Sequence, residues 1–257
     1  MPPKKRTSRF VKNVALVMGG LAVLALVYIA GLWLRSGKGN MVMYKEFGIP
    51  IPSSYPIHGI DVSRYQERIS WDAVHRMEVE SIKLGFVFIK ATEGSGRTDP
   101  YFQRNWKKSK EAGMVRGAYH FFIPTRDGVE QAKNFARAVK LESGDLPPVL
   151  DVEKRLGVPP EHLRKEVLKW CTYIEGYYGV KPILYTNADF YTVYLQGYLD
   201  DYPLWVAHYL QPHQPRITRE WAFWQHNESG HVNGIYGTVD FNVFNGDSVA
   251  FRSLLVP

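Results

Sequence analysis

Four carboxylic acids stand where short apolar runs end: Asp61 in HGID, Asp151 and Glu153 in VLDVE, and Asp240 in TVDF. Asp151 and Glu153 are two residues apart, so on an extended strand both side chains point to one side. Two neighbouring carboxyls at a crowded site cannot both ionise cheaply, so one is driven to keep its proton. A proton-holding carboxyl beside ionised partners is the arrangement that protonates a glycosidic oxygen. An Asp-x-Glu pair alone is a weak signal, because an acid at a strand end is more often a surface or capping group. Convergence gives it weight: acids ending the first, fourth and last strand candidates can meet in one mouth. Tyr119, Tyr185, Trp205 and Trp224 fall beside them. Flat rings suit the apolar faces of sugars, although plain interior packing uses the same residues. Glu93, in KATEG, either binds substrate or is a structural acid paired with Lys90 or a backbone donor. His120 reads as a packed or hydrogen-bonded histidine, since carboxylates already fill the acid–base role.

The elements that must carry these residues are short, almost continuously apolar runs: 57–62, 86–92, 115–122, 147–153, 182–186 and 203–209. Such runs suit strands buried on both faces. Between several of them lie helix patterns. DGVEQAKNFARAV opens on Asp127 with Glu130 three residues later, as in a capping box, and repeats apolar residues at helical spacing. A second helix is expected from Pro160 to about Tyr178, with Cys171 inside its apolar stripe and therefore in the core. The strand–helix rhythm implies parallel strands joined by helical crossovers. After about residue 205 the helical intervals vanish. AFWQH (222–226), VNGIYG (232–237) and TVDFN (238–242) then suit strands or hairpins, with 227–230 a loop between His226 and His231. The fold class expected is α/β, an irregular TIM-like β/α barrel lacking helices between its last strands.

Charge narrows the functional classes. The chain has 257 residues and a formal charge of +7, yet residues 1–40 hold seven Lys/Arg and no acid. Setting those aside leaves 25 basic and 25 acidic residues in 41–257, so capture of nucleic acid by the main domain has little support. A single cysteine excludes an intrachain disulfide framework and a thiolate zinc cluster. No HExxH, compact carboxylate–histidine cluster, phosphate loop or G-x-S-x-G elbow is present, so neither metal nor cofactor is expected.

Residues 14–34 run without a charge for 21 positions, about 30 Å as a helix and enough to span a bilayer. A cleavable signal peptide competes with an uncleaved anchor here, but the run exceeds a usual signal core and no clean cleavage site follows. Five Lys/Arg precede it, which keeps residues 1–13 cytoplasmic and sends the rest outside the cytoplasm. The expected organisation is a basic tail (1–13), a transmembrane signal-anchor (14–34), a Gly/Ser/Pro-bearing linker (35–56) and a barrel domain (57–257), as a monomer.

Taken together, HGIDVSRYQ (58–66), FVFIKATEG (86–94), GAYHFF (117–122), PPVLDVE (147–153), ILYTN (183–187), LWVAHY (204–209) and VDFNVFNG (239–246) resemble the glycoside hydrolase family 25 lysozymes, the N-acetylmuramidases of the Chalaropsis type. The resemblance covers about residues 57–257, in order. It implies an irregular β/α barrel and hydrolysis of the β-1,4 bond from N-acetylmuramic acid to N-acetylglucosamine in peptidoglycan. It further implies Glu153 as general acid, Asp151 as its neighbour, and Asp61 and Asp240 as the acids of the first and last strands. Attack by the substrate's 2-acetamido oxygen is the favoured mechanism; direct water attack with inversion and a carboxylate nucleophile are the alternatives. A non-catalytic peptidoglycan-binding module, or a hydrolase of another hexosaminide such as chitin, are the competing functions.

Overall fold

The computed structural model describes residues 18–21, 23–28 and 41–257. Residues 18–21 and 23–28 are helical. Among the described residues no helix is long and apolar enough to cross a membrane. About half of the expected anchor at 14–34 falls outside the described residues, and the basic tail and residues 35–40 lie wholly outside them.

The first folded element lies within the expected linker. Strands β1 (Met41–Tyr44) and β2 (Ile49–Pro52) form an antiparallel hairpin. Phe47, Ile49 and Ile51 are fully buried there, and Phe47 meets Phe241 edge-on at 5.3 Å. Among the described residues, the barrel body thus includes 41–56, which the sequence assigned to the linker. Gly, Ser and Pro around this stretch mask the alternation of its few apolar residues.

Eight strands close a barrel: β3 (His58–Val62), β5 (Ile82–Glu93), β7 (Val115–Phe121), β8 (Val149–Asp151), β9 (Ile183–Asn187), β10 (Leu204–Ala207), β11 (Phe223–Gly230) and β12 (Val239–Phe244). Two-residue strands β4 (Glu78–Val79) and β6 (Arg97–Thr98) pair only with β5. Neighbours around the barrel from β3 to β11 are parallel, and β12 closes the ring antiparallel to both β11 and β3. Helices α1 (Trp71–Arg76), α2 (Phe102–Glu111), α3 (Gly128–Ala138) and α4 (Pro160–Tyr178) make the early crossovers. Asp127 caps α3 by accepting the Glu130 N–H, and Gly179 ends α4 in the left-handed region. No helix lies within 208–222 or 231–238, as the vanishing periodicity implied. VNGIYG, however, is a turn, and 227–230 continues β11 across a register irregularity instead of forming a loop.

Strand alternation sorts the apolar residues into two shells. The outer shell packs strand residues such as Ile60, Val87, Ile89 and Val206 against the helices, and Cys171 lies in it, buried and unpaired. The inner shell fills the barrel with Phe86, Phe88, Val149, Ile183, Trp205, Phe223 and Phe244, closed below by Phe251 of the C-terminal helix α5 (Ser248–Leu254). Phe88 stacks on Trp205 at 4.3 Å, and Phe86 meets Phe223 at 5.2 Å. This filling dictates glycine on neighbouring strands. A Cβ on Gly59 would come within 2.5 Å of the Phe86 ring, and one on Gly117 within 2.5 Å of Phe88.

Two measurements check this packing. Gly117→Ala should lower stability by about 1–3 kcal/mol in denaturant titrations, and Phe88→Leu in the same chain should restore part of the loss. Three histidines are fully enclosed as well. Burial holds His58 down at about 4 and His120 and His226 at about 3. They remain neutral in the folded chain, whereas the unfolded chain takes up protons below about 6.5. Stability should therefore fall as pH drops from about 6.5 toward 4. Neither ring nitrogen of His226 has a hydrogen-bond partner among the described residues, so His226→Phe should flatten that acid dependence in thermal melts recorded across this range.

Candidate active site

The parallel strands all deliver their C-terminal ends to one mouth, where loops are free to vary. Asp61 is the fourth residue of β3, Asp151 the last of β8, and Glu153 follows two residues on. Asp240 reaches the same mouth by the opposite route. It lies at the start of β12, and an antiparallel strand begins where its parallel neighbours end. The expectation of an acid finishing the last strand is thus corrected in direction while its place at the mouth stands. In register, Asp240 is the direct partner of Asp61.

These two acids hydrogen-bond to each other. Burial, then the charge of Asp240, raises Asp61 well above the ordinary carboxylate range. Burial likewise lifts Asp240 to about 6, with Glu228 and Glu153 adding to the effect. The pair therefore holds one proton between two carboxyls near neutral pH. Across the mouth, burial and then Glu153 raise Asp151, while burial raises Glu153 against the opposing pull of Lys154. Asp61 also acts on Asp151, and Glu153 acts on Asp240, so the four acids occupy one shared field.

Two carboxamides hold the arrangement, and neither stood out in the sequence. Gln225 accepts the Tyr185 hydroxyl at 2.9 Å and the Tyr209 hydroxyl at 2.6 Å on Oε1. That fixes its amide orientation, and Nε2 donates to Asp61 at 2.8 Å and Asp240 at 3.3 Å. Asn242 accepts the Trp205 indole N–H at 2.8 Å and donates to Asp61 at 2.8 Å. Alternation along FWQH and DFN put Gln225 and Asn242 on the inward face, but amides attract attention only once their partners are known. Tyr185 also lies within hydrogen-bond reach of Glu153. Its single hydroxyl hydrogen serves Gln225 while Glu153 is protonated and can turn to Glu153 once that carboxyl ionises.

The other expected substrate contacts divide. Tyr119 is half-buried among Asp61, Asp151 and Asp240, and Tyr185 lies beside the acids as described. Trp205, 2% exposed, lies beneath both tyrosines as the floor. Trp224 is fully enclosed on the outer side of β11, between Tyr55 and Trp221, and donates its N–H to the His208 carbonyl. Neither indole can present a face to a sugar, because interior packing claims both. Glu93 takes its structural alternative, bonded to Lys90 at 2.9 Å and Arg97 at 3.2 Å. Burial alone would raise it, but these two cations bring it below its usual value. His120 bonds Thr92 at 2.7 Å and stacks on Trp170, outside the mouth. Two exposed rings were not anticipated: Tyr65 four residues after Asp61, and Tyr236 four before Asp240. Their loops are tied by the Gln66 amide donating to the Thr238 carbonyl at 3.0 Å. Among the described residues, no group of three or more His, Cys, Asp or Glu is placed to hold a metal ion.

Gln225→Met should test the central amide. It removes both donors to the acid pair, so the Asp240 carboxyl should titrate above its value of about 6 in carbon-detected NMR. Two hydroxyls also lose their acceptor, and stability should fall by about 2–4 kcal/mol.

Comparison with known proteins agrees with this geometry. The family model described as Glycosyl hydrolases family 25 matches residues 60–235, a span that takes in Asp61, Asp151 and Glu153 and stops before Asp240. The Escherichia coli K12 protein YegX is 52% identical over 202 residues, covering 79% of this chain and 74% of that one. Lysozyme M1 of Streptomyces globisporus is 33% identical over 217 residues, covering 77% and 71% respectively. The solved structure of a family 25 glycosyl hydrolase from Bacillus anthracis superposes with a TM-score of 0.72 at 32% identity, covering 84% of this chain and 97% of that one. The chain belongs to glycosyl hydrolase family 25 and is a glycoside hydrolase.

Proposed function

We propose that this protein is a membrane-anchored muramidase, which hydrolyses the β-1,4 bond between N-acetylmuramic acid and N-acetylglucosamine with help from the substrate's own 2-acetamido group. One observation carries the mechanistic part: Asp151 Oδ1 is buried at the mouth and has no hydrogen-bond partner among the described residues. A buried acceptor left without a donor is costly, and an acetamido N–H from the bound sugar supplies one. Held there, the acetamido oxygen attacks the anomeric carbon as the bond to the leaving oxygen breaks. Glu153 gives its proton to that oxygen, and Asp151, which the acetamido N–H donor and the nearby Lys90 and Lys154 hold ionised against its burial, stabilises the positive charge growing on the acetamido nitrogen. Glu153, now ionised and able to accept the Tyr185 hydroxyl, takes a proton from water. The water oxygen bonds to the anomeric carbon, the acetamido group is released, and the configuration is retained. The Asp61–Asp240 pair holds the wall opposite, and its shared proton limits the negative charge that would otherwise repel ionised Glu153.

Names among the relatives support the substrate class: Lysozyme M1 is one, and the N,O-diacetylmuramidase of Chalaropsis, 28% identical over 207 residues, is another. The anchor rests on the uncharged run at 14–34 and the five basic residues before it.

Glu153→Gln should lower kcat on purified peptidoglycan by about 10²–10⁴-fold with an unchanged circular dichroism spectrum. In the parent enzyme, activity should decline as pH rises through a glutamate value above the ordinary 4.5. Mass spectrometry of the digest should place the new reducing end on N-acetylmuramic acid, and proton NMR during the reaction should show the first-formed product in the β configuration. Cleavage of chitin oligomers in preference, or inverted product, would refute the assignment. Fractionation of expressing cells should leave the full chain in carbonate-washed membranes and a chain lacking residues 1–40 in the soluble fraction.

A further inference from the structure

A second concavity opens beside the acids, between the loops that follow β5 and β7. Its volume is about 370 Å³, and Glu93, Gly94, Gly96, Arg97, Ile123 and Arg126 form its walls. That is large enough for a short peptide segment. Its charge is opposite to that of the mouth. Lys90 and Arg97 already neutralise Glu93, while Arg126 is exposed and makes no ion pair among the described residues. Two guanidinium groups thus line the cavity with one carboxylate that is already paired. Lys90 also links the two places: it bonds Glu93 in the cavity wall, and its charge acts on Asp151 and Glu153. The cavity therefore begins one side chain away from the reacting centre.

Resting on the muramidase reading, we propose that this cavity binds the carboxylate-bearing stem peptide carried by the lactyl group of the N-acetylmuramic acid being cleaved, with Arg97 and Arg126 as its specificity-determining residues. The lactyl ether projects from the sugar ring next to the 2-acetamido group, so a sugar whose acetamido group faces Asp151 directs its peptide along the neighbouring wall. Guanidinium groups match carboxylates in geometry as well as charge. Gly96 has no atom near its Cβ position within 4 Å, leaving that wall open to an entering chain. The cations that act on the four acids are Lys90 and Lys154, not these arginines, so the chemical step on a bare glycan does not depend on them.

The test compares kcat/KM of the full-length protein on peptide-bearing peptidoglycan with that on the same glycan stripped of peptide by an amidase. The parent enzyme should prefer the peptide-bearing form by roughly three- to tenfold, and the preference should shrink as salt is raised. Arg97→Ala with Arg126→Ala should bring the ratio close to one without changing the rate on stripped glycan, and Arg126→Glu should invert it. An identical ratio in parent and variants, or equal losses on both substrates, overturns the proposal while leaving the muramidase reading intact. Failure of the folded parent to cleave either substrate overturns both.

Discussion

Like charges placed together away from water govern this molecule. Four carboxyls converge at the top of a barrel whose interior is packed with aromatic rings, and full ionisation there would be prohibitive. Protons must be shared, and the surrounding polar groups are arranged to do that. Asp61 and Asp240 face one another in register, a geometry available only because the last strand runs against its neighbours. Gln225 and Asn242 present amide hydrogens to the pair because each carbonyl is already claimed, by two tyrosine hydroxyls in one case and an indole in the other. The Asp151–Glu153 side is left less satisfied, and that imbalance is the chemically useful feature.

The aromatic filling connects this chemistry to stability. Phe88 stacks against Trp205, Trp205 lies under Tyr119 and Tyr185, and its N–H sets the orientation of Asn242. A rigid apolar column thus ends in oriented polar atoms, so the reacting groups rest on tightly packed side chains instead of mobile loops. Glycine at 59 and 117 follows from the same column, two residues below Asp61 and Tyr119 respectively. The mouth is also asymmetric. Lys90 and Lys154 lie near the Phe121 ring beside the Asp151–Glu153 wall, while the Asp61–Asp240 wall adds Glu228. A bound glycan strand would therefore meet unlike surroundings on its two flanks.

Much of this was legible in the chain itself, because strand alternation, helix periodicity and capping residues are local properties. The runs ending in Asp61 and Asp151, the helix from Pro160 to Tyr178 and the Asp127 cap all depend on neighbours a few positions away. The absence of helices between the last strands was equally local, whereas the closing helix Ser248–Leu254 was not anticipated. Residues that act through long-range partners were harder to see. Gln225 reaches Asp61 across 164 positions, and Asn242 reaches it across 181. The hairpin at 41–52 was obscured for a related reason: beyond the Tyr44–Phe47 contact, its buried residues find their partners on strands β11 and β12.

By itself, then, the sequence determined which residue types could do the chemistry, where most of the barrel strands lie though not their ends, and that acids would cluster if those strands closed a ring. Tertiary structure alone decided which aromatics face the mouth and which support it, since Trp205 and Trp224 have similar local surroundings but lie on opposite sides of the barrel wall. It also decided the pairing of the acids, through the antiparallel direction of β12. Burial and proton sharing depend on distances between segments far apart in the chain, and those distances exist only once the barrel has closed.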